Sequence, residues 1–137
     1  MLPAAQNNPT AKPIDSQQVS APALRTFFRI AEAWGLGIQE QLILLGRPSK
    51  SSFYRWKQVE NVALPQDTLE RLSYLFGIYS ALQILLPRPE AADSWIKKPN
   101  AAPVFGGHSA LERMLSGQVA DLYMVRQYLD GQKGGWA

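Results

Sequence analysis

Residues 38–57 read IQEQLILLGRPSKSSFYRWK, and the architecture turns on how this stretch is divided. Ile38 to Leu45 has helical character and is bounded by Gly37 and Gly46. After Arg47-Pro48, Ser49 can cap a second helix through about Lys57, with Phe53 and Trp56 as its inward pair at i and i+3. Two short helices joined by Gly46-Arg47-Pro48-Ser49 fit a helix-turn-helix, in which the second helix enters the DNA major groove. A rotation of about 100° per residue turns Ser51, Tyr54 and Arg55 outward and leaves Lys50 at the flank of the first turn. Donors and cations of this kind suit base edges and phosphates. Arg55 is assigned to a base, most simply guanine through its bidentate fork. Ser49, Lys50 and Lys57 are expected on phosphates, with Arg47, Ser51 and Tyr54 completing the DNA-binding set.

Charge supports that division. Residues 1–61 hold seven Lys/Arg against four Asp/Glu, and residues 62–137 hold seven against seven, so the +3 net charge lies in the first half. Four cations fall between Arg47 and Lys57 with no acid among them, a segment suited to a polyanion. A single such domain makes few phosphate contacts, so a homodimer reading two half-sites is expected.

Outward from this core, the periodicity predicts an all-α chain. Residues 1–19 have too few large apolar groups to offset ordering entropy and are expected to form a mobile tail. Order is expected from Ser20 as N-cap, with Pro22 in the first turn, Leu24, Phe27, Phe28, Ala31 and Trp34 on one face, and Gly35 as the stop. A long helix opens at Pro65 and Asp67, carries Leu69, Leu72, Leu75, Phe76, Tyr79, Leu82 and Leu86, and ends at Pro87. Gly77 is a weak point within it. Shorter helices follow at Pro89 to about Lys97, Ser109 to Leu115 and Val119 to Leu129. Ser109 and Glu112 make a capping box at the second of these.

The composition excludes several functions. With no Cys and a single His among 137 residues, a disulfide scaffold and a thiolate zinc site are impossible, and a His-centred triad is hard to assemble. His108 reads as a turn residue and Glu112 as a capping partner. Trp95 and Phe105 read as packing aromatics, and Pro99-Asn100 as a structural turn. Gly106-Gly107 lacks the spacing and Lys of a phosphate loop. No enzyme and no cofactor are expected. The stretch Leu72–Pro87 is too short and too polar for a comfortable membrane span, and the N-terminus lacks the apolar region of a secretory signal. A soluble cytoplasmic protein is expected.

The run Ser94-Trp95-Ile96-Lys97-Lys98-Pro99-Asn100, followed by Phe105-Gly106-Gly107, Leu111 to Gly117 and Val119 to Leu129, resembles the toxin-binding domain of the Xre/MbcA/ParS antitoxin family. Residues 69–78 resemble the family's joining helix and residues 49–56 its recognition helix. The ending, residues 125–136, resembles the subset paired with RES-domain toxins. The resemblance implies a DNA-binding domain at 20–64, a connecting helix at 65–88 and a toxin-binding domain with tail at 89–137. It also implies neutralisation of a cognate NAD⁺-consuming toxin and binding of the operon's promoter DNA, with the NAD⁺ belonging to the toxin. Gly131, Gly134 and Gly135 loosen the chain ahead of Trp136, and Trp is a frequent interface anchor. The residues alone equally allow Trp136 to fold back onto its own core. It is the resemblance that implies contact with the toxin for Trp136, with Arg126, Tyr128 and Lys133 as the polar groups expected beside it. The alternative is a stand-alone transcription regulator whose C-terminal helices dimerise or sense a ligand.

Overall fold

A computed structural model of the chain describes residues 16–58 and 62–134, all of whose regular elements are helical. The order is α1 (Ser16–Ala33), α2 (Ile38–Leu44), α3 (Lys50–Gln58), α4 (Gln66–Leu85), α5 (Pro89–Ser94), a 3-10 turn (Trp95–Lys97), α6 (Ala110–Met114) and α7 (Val119–Gln132). Among the described residues, no helix is long and apolar enough to cross a membrane.

The first helix departs from expectation. It begins at Ser16, four residues before the expected boundary, and Pro22 lies inside it. Ser20 is not a cap: its side chain is buried, and its hydroxyl accepts the Leu64 N–H at 3.0 Å. That bond fastens α1 to the segment leading into α4. Pro22 forfeits one backbone hydrogen bond within the first two turns. The burial of Leu24, Phe27, Ile30, Ala31 and Trp34 beyond it outweighs that loss, each large side chain contributing about 1.5–3 kcal/mol.

Local stops fall where the glycines predict them. At the end of α1 the Leu36 N–H reaches the Ala31 carbonyl and the Gly35 N–H that of Glu32, with Gly35 at φ +64°. This is a Schellman closure, which needs the left-handed conformation glycine tolerates. The end of α2 repeats it, with Arg47 N–H on Leu42 and Gly46 N–H on Ile43. At the other end of the molecule, Ser109 Oγ accepts Glu112 N–H at 3.1 Å while Glu112 Oε1 accepts Ser109 N–H at 3.1 Å, the expected capping box.

Helix α4 organises the whole. Its buried positions Thr68, Leu72, Leu75, Ile78, Ala81 and Leu82 cover about half its circumference at 100° per residue. The helix packs on α1, on α5 and, most extensively, on α7. The buried side chains from Leu24 to Leu129 form one hydrophobic cluster. The Lys97 ammonium, donating to the Gly35 carbonyl at 3.1 Å, adds a polar tie between the two ends.

Candidate functional site

Helix α3 presents the face the sequence predicts. Phe53 and Trp56 are buried. Lys50, Ser51, Tyr54 and Arg55 are exposed. Ser49 caps the helix, its hydroxyl accepting the Ser52 N–H and donating to the Ser52 hydroxyl, both at 3.1 Å. Lys50, Ser51 and Arg55 have no side-chain partner among the described residues, so their polar groups are available to a ligand.

Two members of the expected set are held within the chain. The Lys57 ammonium lies 5.3 Å from the ring centres of both Phe28 and Phe53, a cation–π arrangement that fixes it at the α1–α3 seam. Arg47 occupies the left-handed region at φ +61°. Its guanidinium packs against Gly117, where any Cβ would collide with it. Arg71 reaches the same residue, donating from Nη1 to the Gly117 carbonyl at 3.1 Å and from Nε to Asp67 at 2.9 Å. The helix-turn-helix turn thus abuts the α6–α7 junction. Sequence reading missed Arg71 because nothing local marks a contact so distant along the chain.

The C-terminal half is built around an aromatic trio. Trp95 stacks on Tyr128 with ring centres 6.4 Å apart and planes 18° apart, and Phe105 meets both rings edge-on. Tyr128 is half-buried here, so its ring belongs to the packing of this half. The expected turn is real: Asn100 Oδ1 accepts the Ala102 N–H at 2.9 Å, and Asn100 exchanges backbone hydrogen bonds with Gly107 and His108. Arg113, another residue the sequence did not single out, pins this loop by donating to the Val104 carbonyl and to Asp121 Oδ1. The two remaining described residues of the expected toxin set also bind internally. Arg126 crosses the notch left by Gly77 to donate to the Ser73 carbonyl at 3.3 Å, and pairs with Asp130. Lys133 pairs with Asp130 at 3.1 Å. Trp136, the fourth member, lies outside the described residues, as do residues 1–15 of the expected N-terminal tail.

The junction between α6 and α7 holds a carboxyl in its charged form. The Ser116 hydroxyl (2.6 Å), and after it the Arg113 guanidinium (2.8 Å), hold the Asp121 carboxyl below its ordinary range, outweighing the burial that raises it. A carboxylate depressed in the fold contributes stability that is complete above its unfolded pKa, near 3.9, and is lost as pH falls through the lower folded value. The melting temperature of the native chain should therefore fall more steeply from about pH 5 to 2 than that of Asp121→Asn. Equal slopes in thermal melts would show that Asp121 carries none of the dependence.

Residues 81–135 match the model described as the antitoxin Xre/MbcA/ParS C-terminal toxin-binding domain, and residues 13–77 match that of the antitoxin Xre-like helix-turn-helix domain. The chain belongs to the Xre/MbcA/ParS antitoxin family. A Sinorhizobium fredii protein recorded as "Uncharacterized protein y4oB" is 50% identical over 121 residues, spanning 88% of this chain and 91% of that protein. The helix-turn-helix of this Xre-type antitoxin is α2–α3, and its toxin-binding domain begins within the last turns of α4. The antitoxin thus combines a helix-turn-helix domain with a toxin-binding domain.

Proposed function

We propose that this antitoxin neutralises a RES-domain, NAD⁺-consuming toxin through residues 89–137 and represses its own operon in the cytoplasm by binding promoter DNA as a homodimer. The DNA half of the reading rests on Lys50, Ser51, Tyr54 and Arg55, which share an exposed recognition-helix face. Arg55 reads a base, and Ser49, Lys50 and Lys57 hold phosphates. Arg47, packed on Gly117, contributes by fixing the turn.

The toxin half rests on the matched toxin-binding domain and on the resemblance of residues 125–136 to the RES-paired subset. An open groove lined by Val104, Met124, Gln127, Tyr128, Asp130 and Gly131 flanks the end of α7. Tyr123 and Met124 add exposed apolar surface on the same helix, and such surface on an interaction domain suits a protein partner. The toxin is held by this surface together with Arg126, Lys133 and Trp136.

Co-expression with the product of the adjacent gene, followed by affinity capture and size-exclusion chromatography, tests the reading. A stable hetero-complex that restores cellular NAD⁺ is the expected result. A lone homodimer with toxicity unrelieved would instead make the chain a stand-alone regulator.

A further inference from the structure

The two halves of the molecule treat their cations differently. Beyond α3, Arg71, Arg88, Arg113, Arg126 and Lys133 each pair with a carboxylate. Lys97 and Lys98 are the exceptions there, Lys97 bonding the Gly35 carbonyl instead. Among the described residues up to the end of α3, none of Arg25, Arg29, Arg47, Lys50, Arg55 and Lys57 pairs with a carboxylate. Two of these, Arg25 and Arg29, lie on α1, outside the recognition helix, yet close to it.

Arg25 and Lys57 line one cleft between α1 and α3, with Phe28 and Trp56 among its walls. Phe28 packs edge-on against Phe53 of α3, ring centres 5.8 Å apart, so the α1 surface around Phe28 borders the recognition helix. Arg29 is one turn beyond Arg25 on that exposed surface, and its guanidinium bonds only Thr26 of its own helix, at 3.4 Å, among the described residues. On α3, rotation of 100° per residue gathers Lys50, Tyr54 and Lys57 along the flank nearest Phe28. Like charges on both walls of a cleft repel one another, and an anion between them removes that cost. Phosphate rows border the groove in which a recognition helix lies, so the helix beside it meets the strand backbone.

We propose that the cleft between α1 and α3 is a backbone-phosphate site, in which Arg25 and Arg29 join Lys57 in clamping one DNA strand beside α3. The proposal rests on the DNA-binding reading above and adds to it a sequence-independent grip supplied by α1. Stacked over Phe28 and Phe53, the Lys57 ammonium is held in place and keeps N–H donors for the phosphate.

Fluorescence anisotropy of the full chain on its promoter duplex and on a scrambled duplex, between 50 and 200 mM salt, supplies the test. Arg25→Ala/Arg29→Ala is expected to weaken both duplexes by the same factor, on the order of tenfold, and to flatten the log–log salt slope by about 2. Its promoter-over-scrambled ratio should stay unchanged. Arg25→Lys/Arg29→Lys should keep most of the slope, and a melt matching the native chain confirms that the double alanine variant folds. An unaltered slope, or a change in the ratio alone, overturns the phosphate site. Arg55→Ala reports separately on the recognition reading, because it should erode the ratio. If the native chain shows no promoter preference, the operator reading falls while the clamp is still decided by the salt slope; if it binds neither duplex, both fall.

Discussion

Replacing Leu82 with alanine is expected to lower the melting temperature of the entire chain by roughly 8–20 °C, in one transition. Leu82 is fully buried in α4, and removing a buried leucine side chain costs about 2–5 kcal/mol. For a chain of this size each kcal/mol moves the midpoint by about 4 °C. The single transition follows from the core, whose buried residues run without a break from α1 to α7 through α4. Promoter binding and toxin capture should accordingly disappear together as the variant is warmed. Differential scanning calorimetry with parallel binding assays checks this. Two separated transitions, with the helix-turn-helix half unmoved, would show that the halves fold independently.

Removing residues 134–137 should abolish most neutralisation while leaving the fold and promoter binding intact. Helix α7 runs to Gln132, beyond the Leu129 expected from periodicity, and Lys133 still reaches Asp130 after such a cut. The shortened chain therefore loses no buried side chain among the described residues. It does lose Trp136. An aromatic anchor at the centre of an interface is worth about 2–4 kcal/mol, which corresponds to roughly a 30- to 1,000-fold loss of toxin affinity. Toxin titration and cell survival on co-expression measure the effect, with Trp136→Ala as the finer probe. Full protection by the truncated chain would assign neutralisation to the helical surface alone.

What could be read from sequence was governed by local rules. The Ser49 cap, the Phe53–Trp56 inward pair, the Gly35 stop and the Ser109–Glu112 box each depend on neighbours within a turn or two. What escaped reading depends on partners far along the chain. Ser20 has the chemistry of a cap, yet its hydroxyl serves Leu64. Arg47 counted as one more cation of a basic segment, but the fold places Gly117 beneath it. Gly77 read as a defect in a long helix and proves to be the gap through which Arg126 reaches Ser73. Tyr128 read as a polar contact for a partner, and the packing of its ring on Trp95 and Phe105 was not legible beside that. In each case the added contact is set by tertiary packing and not by neighbours in sequence.

The two family matches meet inside α4, between residues 77 and 81, in mid-helix. That placement constrains inheritance. A genetic exchange that grafts the DNA half of one antitoxin onto the toxin half of another crosses a helix whose buried face serves both parents at once. The graft must bring together Leu72 and Leu75 from one side with Ile78 and Leu82 from the other, and Gly77 must arrive opposite an Arg126 that fits it. New pairings of operator and toxin therefore survive most readily when the exchange falls outside α4, with the helix passed on whole.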